Sequence, residues 1–307
     1  MLDVSIIIVN WNGKDLLTRC IQAVQSTVKQ VTYEIIVIDN ASSDGSQAMV
    51  KQDFPDVILI ENSENAGFAG ANNQGMAIAQ GRYLLLLNSD AFVEENTVDG
   101  MAAFMDAHPE AGMAGCKLLY EDRSLQPSAY QFPTLKTELY IALQLNALFP
   151  KSREFGQFAM TWWDFNDVRE VEAIMGAFML VRREAYTEVG GMDTGFFMFS
   201  EEIDWCIRFR RAGWKTLYNP AVQAVHLWGG STKRIREEMF IQLYRSKVQF
   251  FRKHYGTVSA RVLKGIIGFS CLLRIIPGAV LYRVLRRSSG SEKMMLYRSL
   301  LANLGSL

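Results

Sequence analysis

The chain has 307 residues, no net formal charge, and 49% hydrophobic against 21% charged residues. That excludes a disordered chain and leaves room for one large domain with an appendage, or two small ones. Four widely separated cysteines, Cys20, Cys116, Cys206 and Cys271, exclude a C-x-x-C zinc or redox motif and demand no disulfide framework.

The first ninety residues alternate two periods. "VSIIIVN", "YEIIVIDN", "DVILIEN" and "RYLLLLNSD" are short apolar runs, and "GKDLLTRCIQAVQS", "SSDGSQAMVKQDF" and "AGANNQGMAIAQ" between them are helical. Strands alternating with helices imply βαβ units and a parallel sheet buried on both faces. The N-terminal apolar run has no basic stretch before it and is strand-length, so no signal peptide is expected. Each strand ends in polar residues: Asn10, Asp39, Glu61-Asn62, and Asn88 through Asp90. Ligands of open α/β sheets bind beyond the carboxyl ends of the strands. The polar tips therefore mark a site, while Ser42, Ser43 and Asp44 read as caps and turn formers.

Beyond residue 90, "NTVDGMAAFMDAHPEAGMAG" reads as a helix and a turn, and "FPTLKTELYIALQLNALFP" as a helical excursion. "VEAIMGAFMLVRREAYTEVGG" reads as a strand, then a helix. "FFMFSEEIDWCIRFRRAGW" reads as an aromatic strand running into a helix with acids first, arginines last and Gly213 as cap. A last strand ends near His226.

The stretches "SIIIVNWNG", "VIDNASSDGS", "NAGFAGANNQG", "LLLLNSD", "GAFMLVRREAY…GGMD", "FSEEIDWCIR" and "HLWGGS" occur in one order over roughly residues 3–233. Together they resemble glycosyltransferase family 2, inverting nucleotide-sugar transferases of GT-A fold. The nearest flavour is the rhamnosyltransferase-like branch of bacterial surface polysaccharide synthesis. The resemblance implies an α/β fold with a Rossmann-like, mostly parallel central sheet and flanking helices, carrying here a basic amphipathic helical C-terminal extension. It implies a catalytic domain over 1–232, with a nucleotide-binding half at 1–90 and an acceptor half at 91–232, then an extension at 233–307.

It also implies roles. Asp39 is the base-reading acid with Asn10 beside it; an Asx-turn in "DNASSDG" is the alternative. Asn65, Gly67 and Asn72 belong to a Gly-rich turn whose following helix N-terminus can face a diphosphate. Its place after the third strand, without G-x-G-x-x-G, counts against a dehydrogenase. Asn88, Ser89 and Asp90 stand where the family commonly has D-x-D, so Asp90 is the hard ligand for Mg²⁺ or Mn²⁺ and Asn88 leaves the site short of charge. His226 completes that metal site by resemblance. In "SEEIDW" the base falls on Glu202. Consecutive helical residues point about 100° apart, so Glu201 cannot face the same hydroxyl, and Asp204 orients the base or a neighbouring donor. Gly176 and Ala177 border the acceptor. Trp162, Trp163 and Trp228 stack on sugars or belong to the core.

The charge is unevenly spread. Residues 1–230 carry 17 Lys+Arg against 29 Asp+Glu, and residues 231–307 carry 15 against 3. The partner of that basic tail should be anionic. In Arg261–Arg287 the longest charge-free run, Gly265–Leu273, is far short of the roughly 18 residues of a spanning helix. On an ideal wheel Arg261, Lys264, Arg283, Arg286 and Arg287 share one side and Arg274 does not, although Pro277 should break the phase. Such helices lie on anionic membrane surfaces; a helical hairpin packed on the body is the alternative.

The expectation is an inverting hexosyltransferase, peripheral to the cytoplasmic face of the bacterial inner membrane. Its donor would be a nucleotide sugar, first deoxythymidine-diphosphate rhamnose and second a uridine-diphosphate sugar, and its acceptor a lipid-linked glycan. No nucleic-acid partner is expected. The rivals are a non-catalytic sugar-nucleotide-binding scaffold and a nucleotidyltransferase; the latter lacks a basic phosphate loop, with only Lys14 near the N-terminus.

Overall fold

The computed structural model describes residues 2–227, 236–285 and 289–307. They form two compact units. The first comprises the described residues of 1–132, 163–197 and 201–231; the second comprises those of 133–162, 198–200 and 232–307. The excursion at 133–162 thus groups with the basic tail.

The opening alternation is β1 (Val4–Asn10), α1 (Lys14–Thr27), β2 (Tyr33–Asp39), α2 (Ser46–Asp53), β3 (Ile58–Glu61), α3 (Gly67–Ile78) and β4 (Tyr83–Asn88). β5 (Ala91–Val93), α4 (Thr97–Ala107), β6 (Ala111–Leu119), β7 (Leu125–Gln126) and β8 (Ala129–Tyr130) follow. The excursion carries α5 (Leu135–Ala142) and α6 (Leu145–Leu148). Next come β9 (Arg169–Val171), β10 (Ala173–Ile174), β11 (Phe178–Arg182), α7 (Arg183–Val189), α8 (Glu201–Arg211) and β12 (Lys215–His226). The tail is α9 (Arg236–Leu285) and α10 (Ser289–Ala302).

The main sheet has ten strands, with the path β3-β2-β1-β4-β11-β6-β12-β5 and β7 and β9 attached to β6 and β12. β1 to β4 are parallel, and so are β6 and β12; β11 runs antiparallel to both β4 and β6. Ile6, Ile7, Ile8, Leu84, Leu85 and Leu86 are fully buried, as continuous apolar runs under two helical layers must be. Register then brings the polar tips to one edge. Asn10 pairs with Asp39, Asp39 with Glu61, and Val9 with Asn88. Because β11 is antiparallel, its start lies where β4 ends, and Asn88 N–H donates to Ala177 O at 3.1 Å.

Three sequence expectations are corrected. β6 is a strand where a turn was expected. Phe196–Ser200 is irregular rather than a strand, with Phe199 and Ser200 both at φ 68°, a conformation no strand residue adopts. The strand expected in "VEAIMGAFMLV" is three short pieces, β9, β10 and β11. In the tail, Gly256 (φ 84°, ψ 170°) interrupts α9, whereas the helix runs on through Pro277. Gly213, at φ 93°, caps α8 as expected.

In the second unit α9 packs with α5 and α10. Lys247 pairs with Glu138 at 2.9 Å, and Arg274 donates to the carbonyls of Ala142 and Ile141. Lys264 reaches Gly305 O. The side chains of Arg283, Arg286 and Arg287 lie outside the described residues, as does Trp228.

Candidate active site

The strand tips of the first unit supply two clusters. In the first, Asp39 is wholly buried. Its Oδ2 accepts from Asn10 Nδ2 at 2.9 Å, and its Oδ1 accepts from Ser42 N–H and Gln47 Nε2, both at 2.8 Å. Asp39 thus holds the turn at Ser42, three residues on, and ties β1 to β2 and α2. Ser42 Oγ accepts Asn12 N–H and Asp44 accepts Lys14 N–H, so the "SSD" residues are the turn formers they were read to be. Asn10 Oδ1 is buried without a hydrogen bond among the described residues.

The Gly-rich turn is held by hydrogen bonds within the protein. Asn65 Oδ1 accepts Gly67 N–H, and Phe68 N–H donates to Phe197 O, both at 2.9 Å. Asn72 is buried and donates to Phe68 O. The first two amides of α3 and the Asn72 side chain thus have partners within the protein. Asn73, not singled out from the sequence, clamps the "GGMD" turn: its amide exchanges two 2.8 Å bonds with Met192 O and Met192 N–H.

The second cluster is the "NSD" tip. Ser89 and Asp90 form the turn between β4 and β5. β12 pairs with β5 so that His226 lies opposite Ala91, and Leu227 N–H donates to Asp90 O at 3.0 Å. This brings His226 Nε2 to 3.2 Å from Asp90 Oδ1 and 3.4 Å from Asn88 Nδ2. The other ring nitrogen, Nδ1, lies 2.8 Å from Oε1 of Gln126, a residue without any sequence signal. No group of three His, Cys, Asp or Glu side chains able to hold a metal occurs among the described residues. A carboxylate oxygen and an imidazole nitrogen converging at 3.2 Å do fit a divalent cation that completes its shell from phosphate oxygens and water.

The acids of α8 form the third element. Glu201 is buried, Glu202 partly so, and one carboxyl oxygen of each, Oε2, is buried without a hydrogen bond among the described residues. Burial, then the neighbouring Glu202 charge, holds Glu201 well above the usual carboxylate range. Burial pushes Glu202 up to about 7. Gly176 lies beside Glu202 and against Phe68: a Cβ there would be 3.9 Å from Glu202 Cβ and 3.3 Å from the Phe68 ring. Of the two readings for Asp204, the neighbouring donor is the one seen: its carboxylate pairs with Arg208 at 3.0 Å, and Arg208 donates on to the carbonyls of Val189 and Gly191. Trp163 stacks on Phe165 with ring centroids 4.2 Å apart and is core; Trp162 lies against Arg153.

The family model for glycosyl transferase family 2 matches residues 5–208. N-acetylglucosaminyl-diphospho-decaprenol L-rhamnosyltransferase of Mycobacterium tuberculosis is 28% identical over 211 residues, covering 65% of this chain and 68% of that one. Rhamnosyltransferase WbbL of Escherichia coli K12 is 25% identical over 236 residues, covering 73% and 83%. Among solved structures, the mannosyltransferase PcManGT of Pyrobaculum calidifontis, in complex with GDP-Man and Mn²⁺, superposes with a TM-score of 0.59. It has 17% identity and covers 98% of this chain and 87% of that one. Its likeness carries the fold.

Proposed function

The chain belongs to glycosyltransferase family 2, and from that premise we propose that it transfers rhamnose, with inversion, from deoxythymidine-diphosphate rhamnose to a lipid-linked glycan. It is a glycosyltransferase of polysaccharide synthesis, and neither the scaffold nor the nucleotidyltransferase reading is retained. The names of the two rhamnosyltransferases support the donor sugar, and the diphospho-decaprenol of the first supports the lipid-linked acceptor.

The observation that carries the mechanism is Glu202. A base must be ionised enough to act near neutrality and basic enough to take a proton. A carboxyl pushed up to about 7 by burial, with a buried oxygen that has no hydrogen bond among the described residues and the small Gly176 beside it, meets both needs. Glu202 is read as the group that accepts the acceptor hydroxyl's proton while that oxygen displaces the nucleoside diphosphate in line. Glu201 stays neutral beside it. Asp90 and His226 would hold a divalent cation, which when bound supplies positive charge for the leaving diphosphate. Asn88 and Ser89 line the same tip. Asp39 and Asn10 form the floor of the base subsite through their mutual hydrogen bond. Asp204 and Arg208 brace the "GGMD" turn.

Association with the anionic cytoplasmic face of the bacterial inner membrane is part of the same reading. No helix among the described residues is long and apolar enough to cross a membrane. Val258, Val262, Phe269 and Leu272 are nevertheless exposed on one side of α9, opposite the buried Leu263, Ile267 and Cys271.

The test is a donor panel with manganese and a polyprenyl-diphosphate N-acetylglucosamine acceptor, read by mass detection of released nucleotide and product. Rhamnose transfer is expected. Turnover of a different donor would overturn the rhamnose assignment, and failure with every donor would overturn the proposed donor–acceptor reading.

A further inference from the structure

We propose that Gln126 is a positioning residue that fixes the tautomer of His226 and thereby makes its Nε2 a cation ligand instead of a hydrogen-bond donor to Asp90. The inference rests on the reading that Asp90 and His226 hold the metal.

Gln126 ends the two-residue strand β7, is wholly buried, and is pinned opposite Leu118 of β6. Its Oε1 lies 2.8 Å from His226 Nδ1. An amide oxygen only accepts, so Nδ1 carries the hydrogen. A neutral imidazole has a single N–H. Nε2 therefore presents its lone pair toward Asp90 Oδ1, 3.2 Å away. Two acceptors facing at that distance repel unless a cation stands between them. Asn88 Nδ2, at 3.4 Å, is the neighbouring donor that Nε2 meets when no cation is bound.

Without Gln126 the arrangement would relax differently. The hydrogen would move to Nε2 and be donated to Asp90, closing the pair on itself and spending both ligands. The amide's own Nε2 is buried without a partner among the described residues. Leaving such a donor unmade costs stability. Metal-binding histidines in general donate their second N–H to an oxygen that fixes ring and tautomer. Here that oxygen is a neutral amide, which suits a cluster where Asn88 has already lowered the negative charge.

The chain has three histidines, His108, His226 and His254, so ring-¹⁵N-histidine labelling of the full chain gives three ring systems, with His226 assigned by its loss in His226→Gln. In metal-free protein, long-range ¹H–¹⁵N spectra should show His226 protonated on Nδ1. Gln126→Met, similar in volume, should move the hydrogen to Nε2, and Gln126→Glu should keep it on Nδ1. Thermal melts establish that each variant is folded, and Gln126→Glu carries the test where Gln126→Met is not. Mn²⁺ titrated with deoxythymidine diphosphate should bind about 10–100-fold more weakly to Gln126→Met, with recovery in Gln126→Glu. A wild-type ring protonated on Nε2 would overturn the proposal. So would Mn²⁺ affinity that falls in His226→Gln but not in Gln126→Met; the metal reading would then stand without Gln126. If neither variant changes Mn²⁺ affinity while the wild-type ring is protonated on Nδ1, the metal reading has failed and takes this inference with it.

Discussion

Gly176 packs between the ring of Phe68 and Glu202: a Cβ there would lie 3.3 Å from the Phe68 ring and 3.9 Å from Glu202 Cβ. The residues just before β11 and the start of α8 thus lie side by side, close enough that only a small side chain fits between them. Gly176→Ala tightens the contact with Phe68 and should cost transfer only a few-fold. The branched Gly176→Val should displace the Phe68 ring and Glu202 and lower transfer by about 10²-fold or more, the scale of misplaced reactants. Donor binding, followed by nucleotide titration, should hold. Equal activity of the valine variant would remove the acceptor from this side of Glu202.

The second prediction concerns the base. Glu202 accepts a proton only when ionised, so kcat/KM should rise with pH and level off above about 7, the value to which burial raises its carboxyl. Glu202→Gln should lose about 10²–10⁴-fold in kcat, the range for a general base, with donor affinity nearly unchanged and the rise near pH 7 gone. If Glu201→Gln is the crippling change and Glu202→Gln the mild one, the roles are reversed.

Glu201 makes a stability prediction of definite sign. Its carboxyl is raised well above the ordinary range by burial and by Glu202. A group whose folded pKa exceeds its unfolded one favours folding below the unfolded value, and that contribution is lost as pH rises through the folded value. Glu201→Gln keeps the neutral shape. It should melt higher than wild type at pH 8, with the difference shrinking toward pH 5. An unchanged or lower melting temperature at pH 8 would mean that the buried charge has compensation.

Much of this was legible in the sequence because burial and register write themselves as pattern. The apolar runs of β1, β2 and β4 end in Asn10, Asp39 and Asn88, and parallel pairing turns those ends into one edge. β6 was not legible. Its "AGMAGC" looks like a turn because glycine weakens a strand, yet Gly112 is there for room: a Cβ would lie 2.7 Å from Trp214 and 2.8 Å from Phe209. "FFMFS" has strand composition, but Phe199 and Ser200 adopt left-handed backbone that composition does not signal. The pairing of Asp204 with Arg208 is an i, i+4 spacing that the sequence did contain. Gln126 had no signal, since a lone glutamine before a proline acquires meaning only when β7 and β12 bring it to His226.

Asp90 should be the more sensitive of the two metal-site residues. Asp90→Asn removes the hard oxygen charge from a tip already carrying Asn88, and transfer should fall below detection with weaker metal-dependent donor binding. His226→Gln should lose less, and added Mn²⁺ should recover part of it. Calorimetry of nucleotide binding with and without metal checks both. Normal turnover of Asp90→Asn with manganese or magnesium would sink the assignment.

The tail prediction follows from which side of α9 is spent. Leu263, Ile267 and Cys271 are buried and Arg274 holds the carbonyls of Ile141 and Ala142, so truncation at Ser259 would strip the covering from α5. Substitutions on the opposite side are the cleaner test. Val262 and Phe269 are 46% and 45% exposed, at a spacing of seven residues, two turns apart on one side. Arg261 flanks them, and Arg252 and Lys253 precede the break at Gly256. Anionic lipid attracts about 1 kcal/mol per basic residue near the surface, and salt screens that share. Inserted apolar side chains add a salt-resistant share, roughly 1.5–3 kcal/mol each when fully buried. The full chain should therefore sediment with anionic vesicles, lose part of that binding in high salt, and need detergent for complete release. Val262→Asp with Phe269→Asp should lower vesicle partitioning at least about tenfold on those magnitudes, while nucleotide binding stays at the wild-type level. A full chain that ignores anionic vesicles at low salt would assign this side of α9 to a protein partner instead.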